Sequence, residues 1–289
     1  MKFGLRYASL GRYANGPAAV ELVQAAEAAG FESIWTVEHV VVPHGYQSRY
    51  PYSPTGRMGS GLDDYPIPDP LIWLAYVASA TRTIKLGTAI LILPQRNPVI
   101  TAKEVATLDH LAGGRRVLLG IGVGWLAEEF SALGVPFDDR GARTDEYVAA
   151  MRALWGEERA SFKGRFVSFD EVYCRPRPPE GRIPIVIGGD TKAAARRAGR
   201  LGDGYFPARG APPELFDEMR RAAEAAGRDP AEIEITVAAP VEPEEIEALA
   251  ARGIARVAVP VSAAAGLPAQ VKTPDDVLRY GRDVIARFR

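Results

Sequence analysis

The chain has 289 residues, which suits one large α/β domain or two small ones, and 47% of them are hydrophobic, enough for a sizeable core. A formal net charge of -1 and a pI near 6.4 give no electrostatic reason to expect nucleic acid or an anionic membrane as partner. One cysteine, Cys174, excludes an internal disulfide and a cysteine zinc cluster, and with a short polar start and no apolar run of about 18 residues the expectation is a cytoplasmic protein with no signal peptide and no membrane span.

In chain order, the sequence predicts a first strand over Lys2 to Tyr7 and a helix from Pro17 to a C-cap at Gly30. A second strand runs from Ser33 to Val37, and a long irregular stretch rich in Pro, Gly, Tyr and Ser follows from Val40 to Pro68. A helix from Pro70 to Ala80 leads to a third strand, Thr83 to Leu91. A helix from Pro98 to Leu111 stops at Gly113-Gly114 before a fourth strand, Arg116 to Ile121. Helical segments at Trp125 to Ala132 and Thr144 to Trp155 precede an alternating stretch around Gly164, Phe162 to Phe169, that reads as a β-hairpin. The fifth to eighth strands are expected at Ile183 to Ile187, Asp203 to Phe206, Glu234 to Ala239 and Arg256 to Val261. Their helices are expected at Thr191 to Leu201, Pro213 to Ala226, Pro243 to Arg252 and Pro274 to Phe288. Eight strand-then-helix units in order, with no linker or composition shift, predict a single (β/α)8 TIM barrel over residues 1–289. It carries a long loop after strand two and a hairpin insertion before strand five. The structural rival is an open Rossmann-like sheet with a second domain.

In such a barrel the site lies where the strands end at their carboxyl edge, so the residues there are the candidates. Strand two ends in Glu38-His39, which places a titratable ring at the mouth; the alternative is a histidine hydrogen-bonded within a loop base. His44, in the long loop, and His110, late in a helix, are weaker candidates. Strand three carries Gly87, Thr88, Ala89 and Ile90, small enough in part for a flat ligand to approach the backbone, or for ordinary lumen packing. Strand four ends in Gly120-Ile121-Gly122-Val123-Gly124-Trp125. The G-x-G-x-G spacing is not the dinucleotide fingerprint, so a nicotinamide site of that kind is rejected, while Glu128 or Glu129 on the next turn faces the mouth. Gly188-Gly189-Asp190-Thr191 after strand five is either an anion site at a helix start or a glycine turn with Asp190 or Thr191 as N-cap. Arg57, Arg96 and Lys103, near the expected mouth, are each either a partner for an anionic tail or a solvated surface charge, and for any one alone the surface reading is favoured.

Together these blocks resemble a known family. Leu86 to Trp125, Phe31 to Trp35 ahead of His39, and Ile183 to Phe206 resemble the luciferase-like monooxygenases over nearly the whole chain. The run Ser48 to Ser53 and the stretch from Gly124 to Gly141 are similar to a subgroup described as coenzyme F420-dependent oxidoreductases. The resemblance implies a tricyclic ring across the mouth, backed by a cis peptide at Ala89-Ile90. Thr88, Ala89, Ile90, Gly122, Gly124, Trp125, Glu128, Gly188 and Gly189 would lie along the cofactor, and His39 with Glu38 would serve the chemistry. Many deazaflavin relatives have Asp where Glu38 stands, and some have a carboxylic acid in place of Trp125. The implied reaction is hydride transfer between coenzyme F420 and a small organic substrate. The alternatives are an FMN-dependent monooxygenase supplied by a separate reductase, and a non-catalytic flavin- or partner-binding barrel. A homodimer is implied as well, with reduced cofactor coming from a separate reductase or F420-reducing enzyme.

Overall fold

The computed structural model describes residues 1–59, 63–210 and 212–288. Its main sheet is parallel and closed, built from β1 (Lys2–Arg6), β2 (Ser33–Thr36), β3 (Lys85–Thr88), β4 (Leu91–Ile92), β5 (Val117–Gly122), β8 (Ile185–Gly188), β9 (Gly204–Phe206), β10 (Glu234–Ala238) and β11 (Arg256–Pro260). β3 and β4 are two pieces of one barrel strand. β3 pairs β5 at Leu86–Val117 and β4 pairs it further along at Leu91–Ile121, so the sheet has eight positions and closes between β1 and β11 at Lys2–Arg256. The helices that follow the strands are α1 (Gly16–Ala29), α2 (Pro70–Ala78), α3 (Pro98–Leu111), α4 (Ala127–Ala132), α5 (Arg140–Gly156), α6 (Lys192–Leu201), α7 (Pro213–Ala225), α8 (Pro243–Ala251) and α9 (Pro274–Asp283). The expected hairpin is β6 (Ala160–Lys163) with β7 (Ser168–Val172), antiparallel and set between α5 and β8.

The barrel strands are buried on both faces, which is why they read as apolar runs without clean alternation. One face packs on the helices through Phe3, Leu5, Ile34, Leu119, Ile121 and Val257. The other fills the lumen with Trp35, Leu118, Val186, Phe206 and Ala258. The lumen is stacked along its axis. The Arg256 guanidinium lies 5.5 Å from the Trp35 ring, Trp35 meets Phe206 edge-on at 5.4 Å, and Arg6 caps Phe206 at 5.1 Å. Gly120 is required by the close approach of β3. A β-carbon there would run into the Thr88 carbonyl oxygen, whose residue already donates its hydroxyl to Gly120 O at 2.6 Å.

Three predicted elements end elsewhere. The third strand breaks after Thr88, where Ala89–Ile90 is cis as the resemblance implied, and resumes at Leu91. α5 starts a turn earlier than Thr144, because Thr144 sits inside the helix with its hydroxyl on Arg140 O at 2.7 Å. The last helix stops at Asp283, and a short 3-10 turn carries Ile285–Phe288. The loop from Val40 to Pro68 contains no helix or strand among its described residues, and residues 60–62 of it lie outside them.

Glu27, near the end of α1, ties that helix to the start of the third strand. Its carboxylate accepts from Arg82 N, Thr83 N and Ile84 N at 2.6–2.9 Å and from the Thr83 hydroxyl at 2.9 Å. Partial burial alone would raise this carboxyl, but the backbone donors outweigh it and hold it down to about 2 against an ordinary 4.5. A depressed folded-state value gives stability that is present above the unfolded value and is lost as pH falls. Solvent screening at this partly exposed site discounts the full shift, so the chain should lose about 1–2 kcal/mol through this group between roughly pH 4.5 and 2. Glu27→Gln should remove most of that slope in urea titrations across the window, and an unchanged slope would contradict the assignment.

Candidate functional site

Where β2 ends, the chain turns into the long loop through two side chains that point to different partners. Glu38 is buried and accepts from Ile92 N, at the restart of the third strand, and from Arg96, whose Nε lies 2.9 Å away. The same guanidinium reaches Asp69 at 2.6 Å, the N-cap of α2. Burial pushes the Glu38 carboxyl up, and Arg96 and the Ile92 amide oppose that push. Burial alone would lower Arg96, but its two carboxylates more than offset this and raise it. Arg96 is 17% exposed, so the surface reading of this residue is wrong: it is the counter-ion that lets Glu38 be buried.

His39 points the other way, toward α4. Its Nδ1 lies 2.9 Å from Glu129 Oε2, and the His39 and Glu129 side chains are 8% and 0% exposed. Glu129 also accepts from Val40 N at 2.6 Å and Val41 N at 3.3 Å. A carboxylate with two backbone donors on it takes the third proton from Nδ1, which orients the ring and leaves Nε2 clear of Glu129. Nε2 makes no hydrogen bond among the described residues. Trp125 stands edge-on to the imidazole at 5.7 Å and also meets Tyr46 at 5.4 Å and Tyr50 at 5.1 Å. A cavity of about 320 Å³ opens beside His39 and is walled by Val40, Val42, Asp63, Tyr65 and Ile67 of the loop.

Glu128, one residue earlier, anchors the loop from outside: it accepts from Gln47 N at 2.7 Å and Ser48 N at 3.1 Å. Desolvation would raise it, but the donors of Ser48 and Gln47 win and hold it down to about 2. Opposite, Ile90 lies across β5 and β8. A β-carbon on Gly122 would come within 2.7 Å of Ile90 Cδ1, and one on Gly188 would meet Ile90 Cγ2. Gly124 and Gly189 have φ of +80° and +113°, so each turns the chain away from its strand. After β8, Thr191 is the N-cap of α6, accepting Ala194 N at 3.1 Å, and Gly189 O takes the Tyr205 hydroxyl at 2.9 Å. Asp190 instead accepts Ala208 N, next to a cavity of about 540 Å³ lined by Lys192, Arg209 and Leu215.

The model of the family described as luciferase-like monooxygenase matches residues 6–281. The chain belongs to that family. Its relatives include an F420-dependent glucose-6-phosphate dehydrogenase from Kineococcus radiotolerans, 33% identical over 98% of this chain and 80% of that protein. They also include an FMNH(2)-dependent dimethylsulfone monooxygenase from Pseudomonas fluorescens, 32% identical over 64% of this chain and 46% of that one. Among solved structures, the coenzyme F420 dependent tetrahydromethanopterin reductase from Methanopyrus kandleri shares the fold, with a TM-score of 0.75 at 18% identity over 100% of this chain and 99% of that one.

In this luciferase-like chain, the predicted site residues gather at one end of the barrel, on the ends of β2, β3–β4, β5 and β8. Of the weaker histidines, His44 is exposed beside Asp63 at 3.3 Å and His110 is exposed on α3. Sequence reasoning left Glu128 and Glu129 open and favoured Glu128. Helical spacing separates them, since Leu126 and Phe130 are buried and Glu129 lies on their side of α4. Arg6 was missed, although strand alternation signals it: Phe3 and Leu5 face the helices, so Gly4 and Arg6 face the lumen.

The two neighbouring glutamates should respond differently. Glu129→Gln keeps the size but cannot accept three protons, and should lose about 2 kcal/mol. Glu128→Gln sits on a half-exposed loop contact and should lose under about 1 kcal/mol. Equal losses in urea unfolding would mean that Glu129 is not the organising group.

Proposed function

We propose that this protein is an oxidoreductase that transfers a hydride between coenzyme F420 and a small organic substrate. The carrying observation is the oriented His39 at the end of β2, its Nδ1 held by buried Glu129, its ring edge-on to Trp125, and the residue itself lining the cavity walled by the long loop. The deazaflavin is preferred over FMN because the F420-dependent relative matches along 98% of the chain, the FMNH(2)-dependent one along 64%. That second match keeps an FMN-dependent monooxygenase as the alternative reading.

The residues present suit a flat polar ring. Ile90 and the side-chain-free positions Gly122 and Gly188 offer an apolar wall, and Thr88 and Ala89 lead up to it. Trp125, Tyr46 and Tyr50 offer aromatic edges. Buried polar atoms without partners, both amide atoms of Gln95 just past β4 and Nε of Arg6, await hydrogen bonds. When bound, the deazaflavin supplies the hydride at its C5 carbon. His39 Nε2 gives or takes the substrate proton, with Glu129 holding the ring through the charge change. Glu38 acts through Arg96 and Ile92 N, positioning the β2 end and the restart of the third strand rather than touching the reacting atoms. Tyr46, Tyr50, Tyr52 and Tyr65 of the long loop exclude water from the mouth.

The protein works as a homodimer. Ile72 and Tyr76 of α2 and Val99 and Ile100 of α3 are exposed on adjacent helices, an apolar face that a second copy would cover.

Titrating the protein with F420 and with FMN should give at least tenfold tighter binding of F420, by fluorescence; tight FMN binding without F420 binding would sink the first reading. His39→Ala should lower turnover roughly tenfold or more in protein that is still folded at the assay temperature, as expected for lost proton transfer, alongside a stability loss of about 1–2 kcal/mol from the buried Glu129 carboxylate left short of a donor; unchanged turnover would remove His39 from the chemistry. In sedimentation, Ile72→Glu should shift a dimer to monomer, and a wild-type monomer would overturn the pairing.

A further inference from the structure

Arg6 ends β1 with its side chain in the lumen, and it is 4% exposed. Its guanidinium donates to Ala208 O at 2.9 Å and to the Tyr7 hydroxyl at 2.6 Å, while Nε has no partner. Below it lies Phe206 and beside it Tyr7, with ring centroids at 5.1 and 4.3 Å. The groups that act on it from the loops are the phenols of Tyr50 and Tyr52 and the carboxylate of Asp190. Asp190 is committed to Ala208 N and faces Arg209 at 3.8 Å. Among the described residues no carboxylate is ion-paired with Arg6. A guanidinium stays protonated in proteins and has five N–H donors, of which neutral oxygens take two here. Of the other buried arginines, Arg256 is ion-paired, and Arg116, which has no ion pair among the described residues, has all three nitrogens on the oxygens of Ile84, Thr81 and Ala112; Arg6 has neither a carboxylate nor a partner for Nε. Arg256, at the opposite end of the same lumen stack, has Glu32 at 2.9 Å and Glu234 at 3.1 Å; Arg6 is the end without a counter-ion.

Its place in the barrel says which ligand would complete it. The proposed wall for the ring is on β3–β4, β5 and β8, whereas Arg6 reaches from β1 to the residues after β9. The guanidinium thus lies on the β1–β9 side of the barrel, away from the wall proposed for the ring. We propose that Arg6 is the substrate-recognition residue of this site and that the substrate carries a planar oxyanion, a carboxylate or enolate, which pairs with the guanidinium beneath Tyr50 and Tyr52. The fork of donors matches two oxygens in one plane, and the aromatic surround excludes the water that would otherwise solvate the pair. This assignment rests on the ring wall proposed above for its choice of substrate over cofactor.

The test uses the full chain, without ring and loaded with F420 or FMN. It is titrated calorimetrically with acetate and benzoate and with their neutral isosteres acetamide and benzamide. The expected result is that at least one carboxylate binds wild type at least tenfold tighter than its amide. Arg6→Gln should lose that preference, and Arg6→Lys should keep part of it with an unchanged thermal midpoint. No preference in wild type, or a preference retained in Arg6→Gln, overturns the proposal. If instead Arg6→Gln leaves carboxylates unaffected and weakens the ring at least tenfold, the guanidinium serves the pyrimidine edge of the cofactor and the substrate assignment falls. A carboxylate preference that depends on Arg6, in a protein that binds neither ring, would keep Arg6 as an anion site and overturn the oxidoreductase reading instead. Should Arg6→Gln not fold, the wild-type and Arg6→Lys ratios decide by the same criterion.

Discussion

The mouth of this barrel hangs on a buried carboxylate. Glu129 receives the His39 imidazole and the amides of Val40 and Val41, so the first turn of the long loop is fastened to the helix after β5 by three hydrogen bonds converging on one side chain. A carboxylate with no exposed surface is tolerable only if its lone pairs are occupied, and those donors occupy them. The orientation of His39 and the path of the loop are therefore one structural fact. Glu128 fastens the same loop a few residues later through Gln47 and Ser48, which brings Tyr46 and Tyr50 against Trp125.

A second carboxylate organises the neighbouring strand ends. Glu38 joins β2 to the restart of the third strand at Ile92, and Arg96 joins it to the start of α2 through Asp69. Adjacent residues of one chain thus serve opposite neighbours, Glu38 the third-strand side and His39 the fourth. An acidic residue beside a histidine at the end of a barrel strand looks like a catalytic pair. The geometry separates them, and the carboxylate that touches the imidazole comes from a residue ninety positions away.

The lumen shows how the charge distribution follows from packing. Arg256 is neutralised at one end by two glutamates, and Trp35 and Phe206 fill the middle. Arg6 occupies the other end with only neutral acceptors. A chain does not need an unpaired guanidinium to hold a barrel together, since apolar side chains of similar volume would fill the space. The Arg6 guanidinium is held instead by the Ala208 carbonyl and the Tyr7 hydroxyl, with Nε unpartnered among the described residues.

Much of this was legible in the residues themselves. Eight strand-helix units, the long loop after β2, the hairpin before β8 and the end of the barrel that carries the site follow from local periodicity and from the fact that parallel strands need crossovers. The break at Ala89–Ile90 came from family resemblance, because a peptide isomer has no signature in composition. What only the tertiary structure decided is which groups meet. Arg96 reads as a surface cation until Glu38 and Asp69 converge on it, and nothing along the chain says that Ile90 packs over Gly122 and Gly188. Glu129 is indistinguishable from Glu128 until α4 turns one of them inward. Hydrophobic period is set by neighbours a few residues apart, so it is written along the chain. Hydrogen bonds across a barrel mouth join residues dozens of positions apart, so they exist only once the barrel has closed.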